Sequence, residues 1–411
     1  MKNIYKVCLG RPNRRYRIEA LVCWLSLLTI LSVYVRFDIG FDVLGTVVYI
    51  STTRMTLILL GIVSISQIIR SGSIAILDSS LALILFFLFA ALSSSWSWYP
   101  SVTLNRLVGV SLYLSLYVAV LVTPNRPQTI ERWAMVVLYG GIFSIVVWNL
   151  AQIVEYEYLL QLRNLTGKRV VAFLPILYYF FHINEEPIQR GFYVLLGILG
   201  IVTVFSAGSR SGFIAIGGTV LLLSLVTYYK SDMKLFNTAF VFVLPVLVGL
   251  LIVASLFIGV FPERLLQIPL SLSQIGPETI GTVRYWMYQF FFRTFTENWV
   301  LGIGYGAFRE AMTEQYIVGI VAHGIFLRVL AGMGIIGFLI FCYVILSSIR
   351  EYLYAANIFG KPTSDTELLY LALASSLCGL LIAGSFNPII REPSLFILLA
   401  LSVKSFLTTH R

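Results

Sequence analysis

Apolar residues fall in twelve runs along the chain, at 19–35, 54–70, 79–96, 105–123, 133–152, 169–182, 191–207, 212–229, 236–260, 324–347, 366–385 and 394–409. A bilayer's hydrocarbon core is crossed by about 17 to 25 apolar helical residues, so the pattern predicts twelve transmembrane helices, the sixth of them short. Most connections are brief and polar. Pro124, Pro127, NEEPIQR and GKPTSDTE mark turns on one side. Residues 261–323 form one long connection, and a long structured loop between packed elements is usually functional. Within it, 281–296 (GTVRYWMYQFFFRTFT) and 306–317 (GAFREAMTEQYI) repeat apolar and aromatic residues at helical spacing. The expectation is an all-α polytopic membrane protein, one integral membrane domain over 1–411, with 261–323 lying on the bilayer as a cap.

Composition agrees: 58% of the chain is hydrophobic and 12% charged, which excludes an ordinary soluble domain. Lys2, Lys6, Arg11, Arg14, Arg15 and Arg17 precede the first apolar run, and basic residues are retained on the cytoplasmic side. Twelve crossings then leave both termini cytoplasmic and 261–323 outside. The opening stretch lacks a short apolar core with a small-residue cleavage site, so the first helix is expected to be retained. The net charge of +10 is scattered at membrane edges. Such a distribution fits contact with anionic membrane lipids and excludes a nucleic-acid stripe. Cys8, Cys23, Cys342 and Cys378 show no paired spacing for a disulfide framework or a zinc site.

An ionisable residue in or near the membrane is costly and marks a site by default. Arg210, in SAGSRSGF, opens a helix. A cation there opposes the helix dipole unless an anion joins it, with Ser209 and Ser211 beside the exposed N–H groups. Snorkelling to the interface is the alternative. Arg284, in GTVRYWMYQ, is a second candidate or a solvated arginine. His323, in VAHGIFLRVLAGMGIIG, is the one histidine expected outside, either a general base or an interfacial residue. Arg328 follows five positions later, about 140° around a regular helix, and is assigned to helix packing or the interface. Asp38 and Asp42 form a competing catalytic pair in the first outside loop. Glu278, Glu297, Glu310 and Glu314 show no metal-ligand spacing and no DxD motif occurs, so metal-free chemistry without a cofactor is favoured. SSSWSWYPS is expected to be an aromatic belt. GIGYGAF, at 302–308, follows no strand and is expected to be a tight turn rather than a nucleotide loop.

GSRSG at 208–212, GTVRYWMYQ with GIGYGAF at 281–308, and the spacing His323, Gly324, nine residues, Gly334, two residues, Gly337 resemble the O-antigen ligase and polymerase superfamily. Gly324 stands where that family usually has a polar residue, and Gly332 where an acidic one is common. Gly334 and Gly337 are expected to serve close helix packing. The resemblance implies a glycosyltransferase C-like fold in the bacterial inner membrane with a periplasmic active site. It also implies transfer of O-antigen polysaccharide from undecaprenyl pyrophosphate to a lipid A-core sugar hydroxyl. By the same resemblance, Arg210 and Arg284 would hold the pyrophosphate and His323 would orient or deprotonate the acceptor, inverting the anomeric carbon. Ser211 and Arg391, in NPIIREPS, are further contacts. A polymerase would extend a second lipid-linked chain instead, and would more often carry two large arginine-bearing loops; 153–168, with Arg163 and Lys168, is a short second candidate. A transporter would need charged or discontinuous helices near the midplane.

Overall fold

A computed structural model describes residues 14–32, 38–43, 46–71, 77–154, 163–207, 209–230, 280–316, 324–358, 360, 364–386 and 389–410. Helix α1 (Arg14–Ser32) is followed by an antiparallel hairpin, β1 (Asp38–Val43) and β2 (Thr46–Ser51), in which Asp38 pairs with Ser51 and Val43 with Thr46. Among the described residues, the hairpin is a small addition to helices. Next come α2 (Thr52–Ser71), α3 (Asp78–Leu92), a 3-10 turn at Ser93–Ser95, α4 (Pro100–Ser111), α5 (Leu114–Val122) and α6 (Pro127–Ile153). Helices α7 (Arg163–Ile183), α8 (Pro187–Ser206) and α9 (Arg210–Lys230) follow. Beyond lie α10 (Ile280–Glu297), α11 (Phe308–Tyr316), α12 (Ile325–Ala355), α13 (Asp365–Phe386) and α14 (Pro393–Thr409).

Among the described residues, seven segments are long and apolar enough to cross a membrane. They are α2, α3, α4 with α5, α6, α8, α12 and α13, with shorter apolar stretches in α1, α9 and α14. The expected span 236–260 lies outside the described residues. The expected single helix over 105–123 is two, because Tyr113 N–H donates to the Val110 carbonyl (2.9 Å) and Ser115 N–H to that of Leu112 (3.1 Å). Such i to i−3 bonds tighten the turn between α4 and α5.

Helix α7 is polar at its start, with Arg163, Lys168 and Arg169, and its residues are apolar on all sides beyond Arg169. A helix of that kind belongs in a core. It packs against α6, α8, α9 and α13, with Val170, Val171, Ala172, Phe173 and Ile176 fully buried. Where α7 meets α9, a Cβ on Gly167 would stand 2.6 Å from the Ser209 hydroxyl oxygen. Backbone therefore meets backbone at the start of α9, and Ser209 caps that helix, accepting from the Gly212 N–H at 3.3 Å.

Helices α10 and α11 form a satellite core of their own, with Met287, Phe290, Phe291, Phe308, Ala311 and Met312 buried against Ile303 and Ala331. Both amphipathic helices expected from the sequence are present. Their apolar faces pack on each other and on α12, while Tyr288 and Phe292 remain exposed.

Candidate active site

Helix α12 breaks at Gly334, whose backbone sits at φ 62° and ψ −165°. A break frees N–H and carbonyl groups that cannot be left bare at membrane depth. Segment 299–304 meets them. The Ile303 and Gly304 N–H groups donate to the Ala331 and Gly332 carbonyls (3.1 and 2.9 Å), and the Ile335 and Ile336 N–H groups donate to the Trp299 and Val300 carbonyls (2.8 and 3.4 Å). A Cβ on Gly334 would collide with the Val300 carbonyl. The GIGYG turn is thus a plug held in the break of a helix. Gly334 serves loop docking rather than the helix packing expected of it, and a Cβ on Gly337 would meet Met333 of its own helix.

The plug's outer side rests on SSSWSWYPS. Trp98 N–H and the Ser97 hydroxyl donate to the Ile303 carbonyl (3.1 and 3.3 Å), Trp96 Nε1 donates to the Leu301 carbonyl (3.2 Å), and Tyr305 N–H donates to the Ser93 hydroxyl (3.0 Å). The stretch expected as an aromatic belt also docks the plug. Its polar atoms face protein, although Trp98 is about half exposed.

These contacts bring charges together from four separate elements. Arg106 of α4 packs against Gly306, where a Cβ would lie 2.5 Å from its Cδ, and its Nη2 donates to Glu310 Oε1 at 2.5 Å. Arg391 lays its guanidinium on α4, with Nη2 3.3 Å from a Cβ placed on Gly109. The Tyr305 side chain is 3% exposed and has Arg328, Arg391 and Arg106 as electrostatic neighbours. Arg328 in turn faces Tyr305, Arg106, Arg391 and Glu310. Burial pushes the Tyr305 phenol above its ordinary pKa, and the three arginines only partly oppose that rise. Its hydroxyl is buried and has no hydrogen-bond partner among the described residues.

The cluster continues toward α7. Arg169 Nε donates to Glu392 Oε1 at 3.1 Å, both side chains almost fully buried, and Lys168 is buried beside them. Tyr113 links the halves, with Glu392, Arg391, Arg169 and Arg54 as electrostatic neighbours. Arg54, Arg106, Arg328 and Arg391 gather around Tyr113 and Tyr305, with Glu310 and Glu392 as carboxylates among their electrostatic neighbours. An excess of cations in a poorly solvated site is costly, and an anion with several acceptor oxygens relieves it.

A family model described as O-antigen ligase matches residues 195–342. Over that stretch, less than half of the chain, the sequence is similar to the O-antigen ligase family. No curated protein matches the chain. The matched stretch holds Arg210, Arg284, Tyr305 and Arg328, while Arg106, Arg169, Arg391 and Glu392 join from outside it.

Arg210 is the first residue of α9, directly after the Ser209 cap, and Ser211 is buried in the same turn. Arg284 lies in the first half of α10. For both arginines the backbone position is described. His323 lies outside the described residues, one position before Gly324. Gly324 starts α12 at φ 97°, and a Cβ there would collide with the Ser385 carbonyl oxygen of α13. Only glycine fits, which is why no polar residue follows the histidine in this chain. Asp38 and Asp42 lie on β1.

Arg328 corrects an expectation. It does not serve helix packing alone but joins Tyr305, Arg106 and Arg391. The 140° argument assumed one regular helix through His323, whereas α12 begins at Ile325 and breaks at Gly334. Sequence reasoning also passed over Arg106 and Arg169, and named Lys168 only within a second arginine-bearing loop. The signal was there: each sits at the head of an expected span, where a cation is costly.

Proposed function

We infer that this protein is a glycosyltransferase that moves O-antigen polysaccharide from undecaprenyl pyrophosphate to a lipid A-core sugar hydroxyl. The reaction runs on the periplasmic face of the inner membrane, with both termini cytoplasmic and 261–323 capping the site. The observation that carries the reading is the set of arginines gathered at one end of the bundle, together with the similarity of 195–342 to the O-antigen ligase family. Departure of a lipid diphosphate leaves growing negative charge on phosphate oxygens, and guanidiniums neutralise it in bidentate fashion. Arg210 and Arg284 take that role, with Ser211 in support. His323 orients or deprotonates the acceptor hydroxyl, which attacks opposite the leaving group and inverts the anomeric carbon. The mechanism uses no metal.

Helix α12 is discontinuous, as a transporter's binding helix would be. The groups freed at its break are met by 299–304, whereas a transporter leaves such groups to its ion or substrate.

The test is reconstitution of the purified protein in vesicles with lipid-linked polysaccharide and lipid A-core, without added metal or nucleotide. Transfer to lipid A-core is expected, and His323→Ala lowers its rate by about 10² to 10⁴. Longer lipid-linked chains as the product would mean a polymerase. Normal transfer by His323→Ala together with loss in Asp38→Asn would overturn the mechanism.

A further inference from the structure

The cluster around Tyr305 holds more than one kind of unmet hydrogen-bonding group. Its donors are the Tyr305 hydroxyl, buried without a partner, and the guanidiniums of Arg328 and Arg391. Neither guanidinium makes a hydrogen bond or ion pair to a described side chain. Its acceptor is Glu310, which takes one bond from Arg106 through Oε1 and keeps Oε2 buried without a partner. A bare diphosphate has acceptors only. It would satisfy the donors and be repelled by a carboxylate oxygen with nothing to donate to it. A sugar carrying an oxyanion satisfies both, its phosphate or carboxylate on the guanidiniums and the phenol, its hydroxyl donating to Glu310.

We propose that Arg328, Arg391, the Tyr305 hydroxyl and Glu310 form a subsite for an acidic sugar residue, one bearing a phosphate or carboxylate beside a free hydroxyl. The reading of the protein as a glycan transferase supplies the source of that sugar, donor polysaccharide or acceptor core, but the binding itself does not depend on it. Arg391 is the exposed member and leaves an opening to solvent. Tyr305 and Arg328 lie deeper and fix the oxyanion.

The full-length protein in lipid nanodiscs is titrated calorimetrically with glucose 6-phosphate, glucuronate, glucose and inorganic phosphate. Glucose 6-phosphate and glucuronate are expected to bind at least about tenfold tighter than glucose, and Arg391→Gln and Tyr305→Phe each weaken them by about tenfold, the scale of one charge-assisted bond. Glu310→Gln narrows the preference for glucose 6-phosphate over inorganic phosphate. Equal binding of glucose and glucose 6-phosphate overturns the proposal. So does unchanged affinity in both Arg391→Gln and Tyr305→Phe, each checked as folded by its thermal midpoint. Inorganic phosphate binding as tightly as glucose 6-phosphate, with Glu310→Gln without effect, reduces the cluster to a plain anion site and also overturns it. In the vesicle assay, donors with acidic or neutral repeating units and acceptors with or without core phosphates identify the source. A KM raised by Arg391→Gln only for the acidic form of one substrate assigns the subsite to that substrate, and equal KM values for all forms overturn the proposal. Absence of any transfer would sink the transferase reading while leaving the titrations standing.

Discussion

The two ends of the bundle treat charge in opposite ways. At the end away from the plug, several charged groups are matched. Glu19 takes Arg132 at 3.2 Å and the Thr129 hydroxyl at 3.0 Å, Asp78 takes Arg350 at 2.7 Å, and Glu351 takes the hydroxyls of Ser79 and Ser402 at 2.8 and 2.7 Å. Even Lys404, fully buried, donates to the Thr123 carbonyl and to Asn125 Oδ1. At the plug end, Arg328, Arg391 and the Tyr305 hydroxyl have nothing comparable among the described residues. Arg328 and Arg350 share helix α12, 22 residues apart and on opposite sides of its break at Gly334. One helix therefore carries a matched arginine at one end and an open one at the other. Matched charge fixes the fold, and open charge is where a ligand can contribute what the chain does not.

The Arg169–Glu392 pair is the point where this contrast breaks hardest, because it is a matched pair inside the open end. Both side chains are nearly free of solvent, and removing one partner strands the other in low dielectric. Glu392→Ala is expected to cost about 3 to 5 kcal/mol of stability, read as a fall in the thermal midpoint in detergent. Most of that loss returns in Glu392→Ala with Arg169→Met, since replacing both charges by apolar groups is near neutral. A single-mutant cost below about 1 kcal/mol would place the pair with solvated surface charges and dissolve the distinction between the ends. Next in size is Gly334→Ala, which forces a side chain into positive φ against the Val300 carbonyl. The expected cost is about 1 to 3 kcal/mol, with transfer lost as 299–304 leaves the break. Faster proteolytic cleavage within 299–304 checks it.

Much of the fold is legible in the sequence because lipid reads hydrophobicity directly. The run at 366–385 became α13 nearly end for end, the run at 133–152 lies within α6, and the helical spacing over 281–296 became α10. What hydropathy does not carry is how a continuous apolar run is divided. Nothing in the hydropathy of 105–123 announces the turn at Tyr113, and LAGMGIIG reads as one helix although the backbone breaks at Gly334. The site was legible only in part for the same reason. Arg328 was placed by the geometry of an unbroken helix, and its true neighbours arrive from Arg106, Tyr305 and Arg391, far apart in the chain. Spacing within one segment cannot report a meeting of four.

A smaller effect sharpens the contrast by running against intuition. Tyr305→Phe removes a buried hydroxyl that has no partner, so the folded protein should gain about 1 kcal/mol, seen as a higher thermal midpoint. Transfer should fall in the same variant. A loss of stability would mean that the hydroxyl is already satisfied and the open end is less open than it looks.

The smallest effect belongs to Arg350→Ala. Its pair with Asp78 is short, 2.7 Å, yet the two side chains are 50% and 60% exposed. Solvent and salt screen such a pair, so the change in stability is at most about 1 kcal/mol and shrinks further as salt is raised. Transfer should be unchanged. Arg391→Ala supplies the control, because Arg391 is also exposed and its removal should cost little stability. It should nonetheless raise the KM for a charged substrate, with the difference fading in high salt. Two exposed arginines at opposite ends of one bundle then separate on a single measurement: one answers to salt in a melting curve, the other in a KM.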